Sequence, residues 1–266
     1  MQTRANPVIE AHELVTHYGD KLILKGVSLE VYEGEIVVVM GSSGCGKSTL
    51  LRHLLGLDRP TSGTVRLLGQ DIASLNSRQL HRLRRDMGVA FQGGALFGSM
   101  TVGENVMLPL REHTRLSESI MRIMVRMKLE LVNLAGAEQL YPDALSGGMV
   151  KRAALARALV MDPKLMFADE LSAGLDPVVA AELDDMVLRF RDALGMTLLV
   201  VTHELSSALK IADRLVVLDQ GEVLAVGTVD EVKQSGDERV QDLLHRRPRA
   251  EPSDRSDYLQ RLTEQR

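Results

Sequence analysis

The sequence predicts an α/β fold with a mostly parallel sheet at its core and a helical insert in the middle of the chain. Three observations carry that prediction. The run Ile36 to Met40 is continuously apolar and leads into "GSSGCGKST" (41–49) and then a helical pattern, as a strand covered on both faces would. The segments "KLMFADE" (164–170) and "MTLLVVTHE" (196–204) are likewise apolar runs that end on polar residues. Segments of helical periodicity lie between them, which is the alternation of parallel strands with crossover helices.

The elements follow in order. Residues 8 to 40 read as strands, with a turn at Glu33–Gly34 before the buried run. A helix begins near Lys47. Residues 64 to 69 and 87 to 91 are short strands, and "SLNSRQLHRLRRD" between them reads as a surface helix. Residues 101 to 140 are helical and mixed, with a methionine-rich stretch "IMRIMVRMKLE". Residues 149 to 160 form a helix whose small side chains allow close packing. "VVAAELDDMVLRFRDAL" is a further helix, and "RLVVLDQGEVLAVG" reads as a hairpin turning at Asp219-Gln220-Gly221. The helical insert spans roughly 93 to 158. From about 236 the chain becomes charged and carries two prolines in "HRRPRAEPSDRSD", which suits a flexible crossover before a last short helix.

A chain of 266 residues suffices for one large α/β domain, or for one domain with a smaller one inserted. The formal net charge of −4 gives no support for a nucleic-acid binder, which would show a basic surface. The single cysteine excludes an internal disulfide. Aromatics make up 3% of the chain and tryptophan is absent, which disfavours stacking platforms for bases. The first residues contain no apolar run of the signal-peptide kind, and no stretch reaches bilayer-spanning length. The expectation is a soluble, cytosolic chain that works at a membrane only through a partner.

The chemistry concentrates in a few places. "GSSGCGKST" is G-x-x-x-x-G-K-[ST] between a buried strand and a helix, the context this phosphate-binding motif requires. Gly41, Gly44 and Gly46 let the loop curl, and its N–H groups with the helix N-terminus offer partial positive charge to a phosphate. Ser42, Ser43 and Cys45 fill the remaining loop positions, and Cys45 needs no chemistry of its own. Lys47 reaches the β and γ phosphates, Ser48 offers its hydroxyl to Mg²⁺, and Thr49 faces the α phosphate. Asp169, ending a buried strand, suits the Mg²⁺ hydration shell, and Glu170 beside it suits polarisation of an attacking water. Gln92 is a candidate metal and water ligand. His203, at another strand end, is positioned to orient water, Glu170 and the γ phosphate. The stretch "DALSGGMVKRAALARAL" (143–159) is a second phosphate-facing helix start, with Ser146, Gly147 and Gly148 but no lysine in the loop.

These motifs in this order resemble an ABC transporter nucleotide-binding subunit over residues 8 to about 235. "GSSGCGKST" corresponds to the Walker A loop, "LMFADE" to Walker B, and "FQGGALF" to a Q-loop beginning at Gln92. "LSGGM" corresponds to the signature, "SAGLD" to a D-loop ending in Asp176, and "VVTHE" to the segment with the family's histidine, His203. Tyr18 lies where the family places an aromatic on the adenine ring. The resemblance implies a P-loop ATPase with a RecA-like core, an N-terminal antiparallel β subdomain and an inserted helical subdomain, using ATP and Mg²⁺. It also implies a homodimer, in which Ser146, Gly147 and Gly148 reach the γ phosphate held by the other copy. Two positions depart from the pattern: Met149 stands where glutamine is usual, and Leu171 where proline is common. Neither removes a phosphate-contacting group.

"FQGGALF", "NVMLPLREHT" and "LSGGMVKRAALARAL" resemble the ATPase subunits of Mla-type phospholipid transporters. That resemblance implies a multispan permease, an MCE-domain protein and a small STAS-domain protein as partners, at the cytoplasmic face of an inner membrane. The segment 93–110 would meet the permease, with Phe97 and Leu108 as groove candidates and with Gly93 and Gly94 leaving the backbone free to move. The extension 236–266 would cross to the neighbouring ATPase, "RVQDLL" packing first and Tyr258 and Leu259 anchoring its end. Another ABC transporter, for a small molecule or organic solvent, is the alternative. A non-transport ABC ATPase would show long coiled coils or two fused cassettes, neither of which is present.

Overall fold

Two sheets organise the chain, in a computed structural model that describes residues 7–247. The expected anchors Tyr258 and Leu259 lie outside the described residues. The chain begins with a long antiparallel pair, β1 (Pro7–Tyr18) and β2 (Lys21–Tyr32). Then come β3 (Ile36–Gly41), α1 (Lys47–Leu54), β4 (Ser62–Leu67), β5 (Gln70–Asp71), α2 (Ser77–Arg84) and β6 (Met87–Ala90). Three helices follow: α3 (Val102–His113), α4 (Glu118–Leu131) and α5 (Gly147–Leu159). The second half alternates β7 (Leu165–Asp169), α6 (Pro177–Leu194), β8 (Thr197–Thr202), α7 (Leu205–Ile211) and β9 (Arg214–Asp219). It closes with β10 (Glu222–Gly227), α8 (Val229–Lys233) and α9 (Glu238–Leu244).

The antiparallel sheet has the order β2-β1-β4-β5, and the larger one β10-β9-β3-β8-β7-β6. Within the larger sheet β9, β3, β8, β7 and β6 run parallel and only β10 is antiparallel to its neighbour. The continuous apolar runs are explained by the two-residue period of a strand, which sends alternate side chains to opposite faces. Ile36, Val38 and Met40 enter a core shared with helices α3 to α7, whereas Val37 and Val39 enter one shared with α1, β1 and β2. The strands β7, β8 and β9 split in the same way. A side chain fully buried in this manner contributes about 1.5–3 kcal/mol. Among the described residues, no helix is long and apolar enough to cross a membrane.

The two sheets are tied at one turn. Between β9 and β10, Gln220 (φ +46°) and Gly221 (φ +82°) are both left-handed, the geometry of the two-residue type I′ turn. The Gly221 N–H donates to the Cys45 carbonyl at 2.9 Å, and its carbonyl accepts the Lys25 N–H at 2.9 Å. A Cβ at this position would lie 2.1 Å from the Ile23 carbonyl oxygen, so no other residue fits without displacing β2.

The insert has its own fasteners. Thr101 caps α3 in a reciprocal box with Glu104. One turn in, Asn105 is fully buried and saturates its amide. Its Oδ1 accepts the Phe97 N–H at 2.7 Å, and its Nδ2 donates to the carbonyls of Phe97 (3.1 Å), Met100 (3.2 Å) and Thr101 (3.0 Å). The helix expected from 149 begins two residues earlier, at Gly147, because Ser146 caps it by accepting the Met149 N–H at 3.3 Å. The paired glycines, poor helix formers, hid that start.

Candidate active site

β3 ends at Gly41 and delivers the loop 42–46 to the start of α1. The loop packs against the protein on one side: a Cβ at Gly41 would meet the Leu218 carbonyl oxygen at 2.0 Å, and one at Gly46 the Leu24 side chain at 2.7 Å. Its other side, with Ser42, Ser43, Gly44 and Ser48, is exposed, and Thr49 is partly buried. Lys47 is 8% exposed, and its ammonium donates to the carbonyls of Gly41 at 2.8 Å and Ser42 at 2.9 Å. The third donor faces the Cys45 sulfur at 3.9 Å, a weak acceptor that a phosphate oxygen would displace. Ser42 Oγ donates to Asp219 Oδ1 at 3.4 Å. Cys45 is buried, and burial pushes its thiol pKa up despite the Lys47 charge beside it. A raised pKa makes the reactive thiolate form scarcer.

The parallel register sets the acids next to this loop. Asp169 ends β7 opposite Val201 of β8, and Glu170 follows at φ +53°. Burial raises the Asp169 pKa, and the Glu170 charge adds to this, while Lys151 and Lys47 pull the other way. A divalent cation at Asp169 would relieve that cost, and a carboxylate, a hydroxyl (Ser48) and an amide oxygen (Gln92) are the hard oxygen donors Mg²⁺ takes alongside phosphate and water. The residues present therefore fit a Mg²⁺–nucleotide.

Glu170 is 8% exposed, and its carboxylate is held by Thr202 at the end of β8 and by His203 just after it, which leaves acceptor capacity on Oε1. Oε1 lies 2.7 Å from His203 Nδ1; Oε2 accepts from Thr202 Oγ1 at 3.2 Å and from the His203 N–H at 3.3 Å. His203 thus meets Glu170 through Nδ1, and its Nε2 lies 3.7 Å from Glu204 Oε1. Gln92 joins the group through its main chain, since Lys151 of α5 donates to both the Gln92 and Glu170 carbonyls.

Other sequence candidates stand apart. Among the described residues no hydrogen bond links Ser146, Gly147 or Gly148 to the loop 41–49, and Ser146 is occupied in capping α5. Asp176 caps α6, its Oδ1 accepting the N–H groups of Val178 at 3.0 Å and Val179 at 3.1 Å. Tyr18 is 51% exposed at the tip of β1, which rules out a core role, and its hydroxyl donates to Asp58 at 3.4 Å. Leu171 is buried. The expectation that Gly93 and Gly94 leave a free backbone is corrected at Gly94 alone; Gly93 is exposed, and a Cβ there would meet nothing within 4 Å. Gly94 is left-handed at φ +73°, a Cβ there would meet Val150 at 2.6 Å, and Arg157 donates to the carbonyls of Gly94 (2.7 Å) and Ala95 (2.6 Å).

Sequence reasoning missed Thr202, Lys151, Asn105 and Arg157. Asn105 had a signal, a polar residue among Val102, Val106 and Met107 on the buried face of α3. Thr202 had only its place before His203. Lys151 had none, because "MVKRAALARAL" does not reveal which of two adjacent cations turns inward.

Residues 24–173, more than half of the chain, match the family described as ABC transporter. The chain is 42% identical over 237 residues to the intermembrane phospholipid transport system ATP-binding protein MlaF of Haemophilus influenzae, covering 89% of this chain and 90% of that protein. It is 40% identical over 239 residues to the probable ribonucleotide transport ATP-binding protein mkl of Mycobacterium leprae, covering 90% of this chain and 69% of that protein. Among solved structures, a dimeric ATP-binding cassette in a post-hydrolysis state bound to ADP and phosphate superposes with a TM-score of 0.77 at 32% identity, over 83% of this chain and 98% of that one. A phosphate loop, strand-end acids and an inserted helical unit in one RecA-like arrangement thus agree with homology along nearly the whole described chain: the protein belongs to the ABC transporter family, as an ATP-hydrolysing subunit homologous to the MlaF-type ATPases.

Proposed function

We propose that the chain hydrolyses ATP through Glu170 to drive phospholipid movement by an inner-membrane transporter, working as a pair of identical subunits on its cytoplasmic face. The phosphates bind the exposed side of the loop 41–49, where main-chain N–H groups, the α1 N-terminus and the Lys47 ammonium supply positive charge. Tyr18, exposed at the β1 tip, offers its ring to the adenine. Ser48, Asp169 and Gln92 hold Mg²⁺, which when bound neutralises phosphate charge and fixes the phosphate geometry. Glu170 accepts a proton from the attacking water. Thr202 and the His203 main chain hold one carboxylate oxygen while the His203 ring orients the other. This fixed aim replaces the reorganisation that a free carboxylate would need.

The second phosphate-facing helix start completes the site in trans. The loop Ser146–Gly148 has no lysine, so it binds weakly until a partner copy presents its nucleotide. Asp176 joins it at the same interface. The relative bound to ADP and phosphate is dimeric, which supports this pairing. The membrane partners are a multispan permease, an MCE-domain protein and a STAS-domain protein. Support for a docking face on the insert comes from Phe97, 52% exposed, and from an apolar stripe on α4 in which Ile120, Ile123, Met127 and Leu131 are all exposed. Such a stripe on a helix marks an interaction face.

One observation carries the substrate assignment: the phospholipid-transport relative matches across 90% of its own length, the ribonucleotide-transport relative across 69%. The test is ATP-driven transfer in the reconstituted native complex, with Glu170→Gln as the matched control. Movement of labelled phospholipid that stops in the Glu170→Gln complex is expected. ATP-dependent ribonucleotide uptake with no lipid movement would replace this reading.

A further inference from the structure

Three segments distant in sequence converge on one residue outside the motifs. Lys151 lies in the interior of α5, one turn beyond the signature loop, and is 6% exposed. Its ammonium donates to the Glu170 carbonyl at 2.9 Å and to the Gln92 carbonyl. Desolvating an ammonium is costly, and a methionine would fill the same volume without that cost. What the ammonium adds is a pair of directed bonds, one to the residue after β7 and one to the residues after β6.

The bond to Glu170 has the larger consequence. Glu170 lies at φ +53°, a region that is unfavourable for a side chain of its size and persists only when neighbours hold it. Its N–H is held by the Val201 carbonyl at 2.8 Å, and its carbonyl by Lys151. Thr202 and His203 restrain the carboxylate from the other side. Without Lys151, one end of this residue is left to rotate, and the carboxylate turns with it.

We propose that Lys151 is a positioning residue for ATP hydrolysis: its two main-chain bonds hold Glu170 and Gln92 in the register set by the signature helix. The inference rests on the roles given above to Glu170 and Gln92. It also gives α5 two tasks, since the helix that offers Ser146 to the partner's nucleotide grips, one turn later, the hydrolytic glutamate of its own subunit.

Steady-state ATPase kinetics and melting temperature of the full-length chain in its native complex test this, for Lys151→Met, Lys151→Arg and Glu170→Gln side by side. Lys151→Met is expected to lower kcat by ~10–100-fold, the scale of a small misplacement of a reacting group, with KM for ATP within ~3-fold. Lys151→Arg keeps the donors and should restore most of kcat. If Glu170→Gln hydrolyses ATP normally, the reading of Glu170 fails and this proposal with it. If Glu170→Gln is inactive while Lys151→Met keeps kcat within ~2-fold, the positioning role alone is overturned. It is also overturned if Lys151→Met loses kcat, ATP affinity and melting temperature together and Lys151→Arg restores none of them.

Discussion

Asn105 is a single side chain that fastens the segment leading into α3, and its truncation to alanine can be worked through bond by bond. Four hydrogen bonds are lost. Two of the freed groups keep another partner: the Phe97 carbonyl still accepts the Met100 N–H at 3.1 Å, and the Thr101 carbonyl still accepts the residue-105 N–H at 2.9 Å. Two are orphaned, the Phe97 N–H and the Met100 carbonyl. An unsatisfied group costs about 1–3 kcal/mol when buried; these two bonds are part-buried and water recovers part of the cost, so a net loss of about 2–4 kcal/mol is expected. For a chain of this size that is a fall of roughly 5–15 °C in melting temperature. Urea unfolding with a matched thermal scan measures both. Asn105→Asp sharpens the test: at neutral pH it sets a carboxylate against three carbonyl oxygens, so it should be worse than alanine despite preserving the bond to the Phe97 N–H. An alanine variant within about 1 kcal/mol of wild type, or an aspartate variant milder than alanine, would refute the reasoning.

Lys47→Ala removes a charge-assisted contact of about 1.5–3 kcal/mol to phosphate, so ATP should bind roughly 10- to 100-fold more weakly by titration calorimetry, with turnover abolished. Phe97→Ala, at a half-exposed position, should cost under about 1 kcal/mol in the free subunit yet weaken pull-down by the permease; a large melting loss with normal assembly would make Phe97 a packing residue. His113 is held below its ordinary pKa, first by burial and then by His81 and Arg85. The unfolded chain therefore takes up a proton that the folded chain resists, so this contribution is full above the ordinary value of 6.5 and is lost as pH falls through it towards the folded value. Thermal scans from about pH 7.5 to about 5.5 should show the decline, and His113→Gln should shrink it.

What could be read in advance followed from what is contiguous. The phosphate loop needs a strand, a glycine turn and a helix in unbroken succession, and "VVVMGSSGCGKST" writes all three in one line. The strands β3, β7 and β8 were legible because both faces are covered, so no polar residue interrupts them. The boundaries that slipped are those decided by caps: Ser146 begins α5 earlier than periodicity alone implies. Groups whose work depends on closure in space left little trace. Thr202 matters because β8 lies beside β7 in the sheet order, and Arg157 because the turn of α5 sets it under the Gly94 carbonyl. That same contact removed the freedom suggested at Gly94, the second of the two glycines.

The amide pair of Gly221 fixes a length. Its N–H touches the phosphate loop at Cys45 and its carbonyl touches β2 at Lys25, in the sheet that carries Tyr18 at its hairpin tip. On the roles proposed for the loop and for Tyr18, the span between phosphate and adenine would be gauged by Gly221, which bonds to the loop and to β2. Under that proposal, a methyl group at this position, which would meet the Ile23 carbonyl oxygen, would leave every reacting side chain intact and yet change the span. A chain built on that proposal would measure its fuel with the backbone, and it could lose that calibration without losing any of its chemistry.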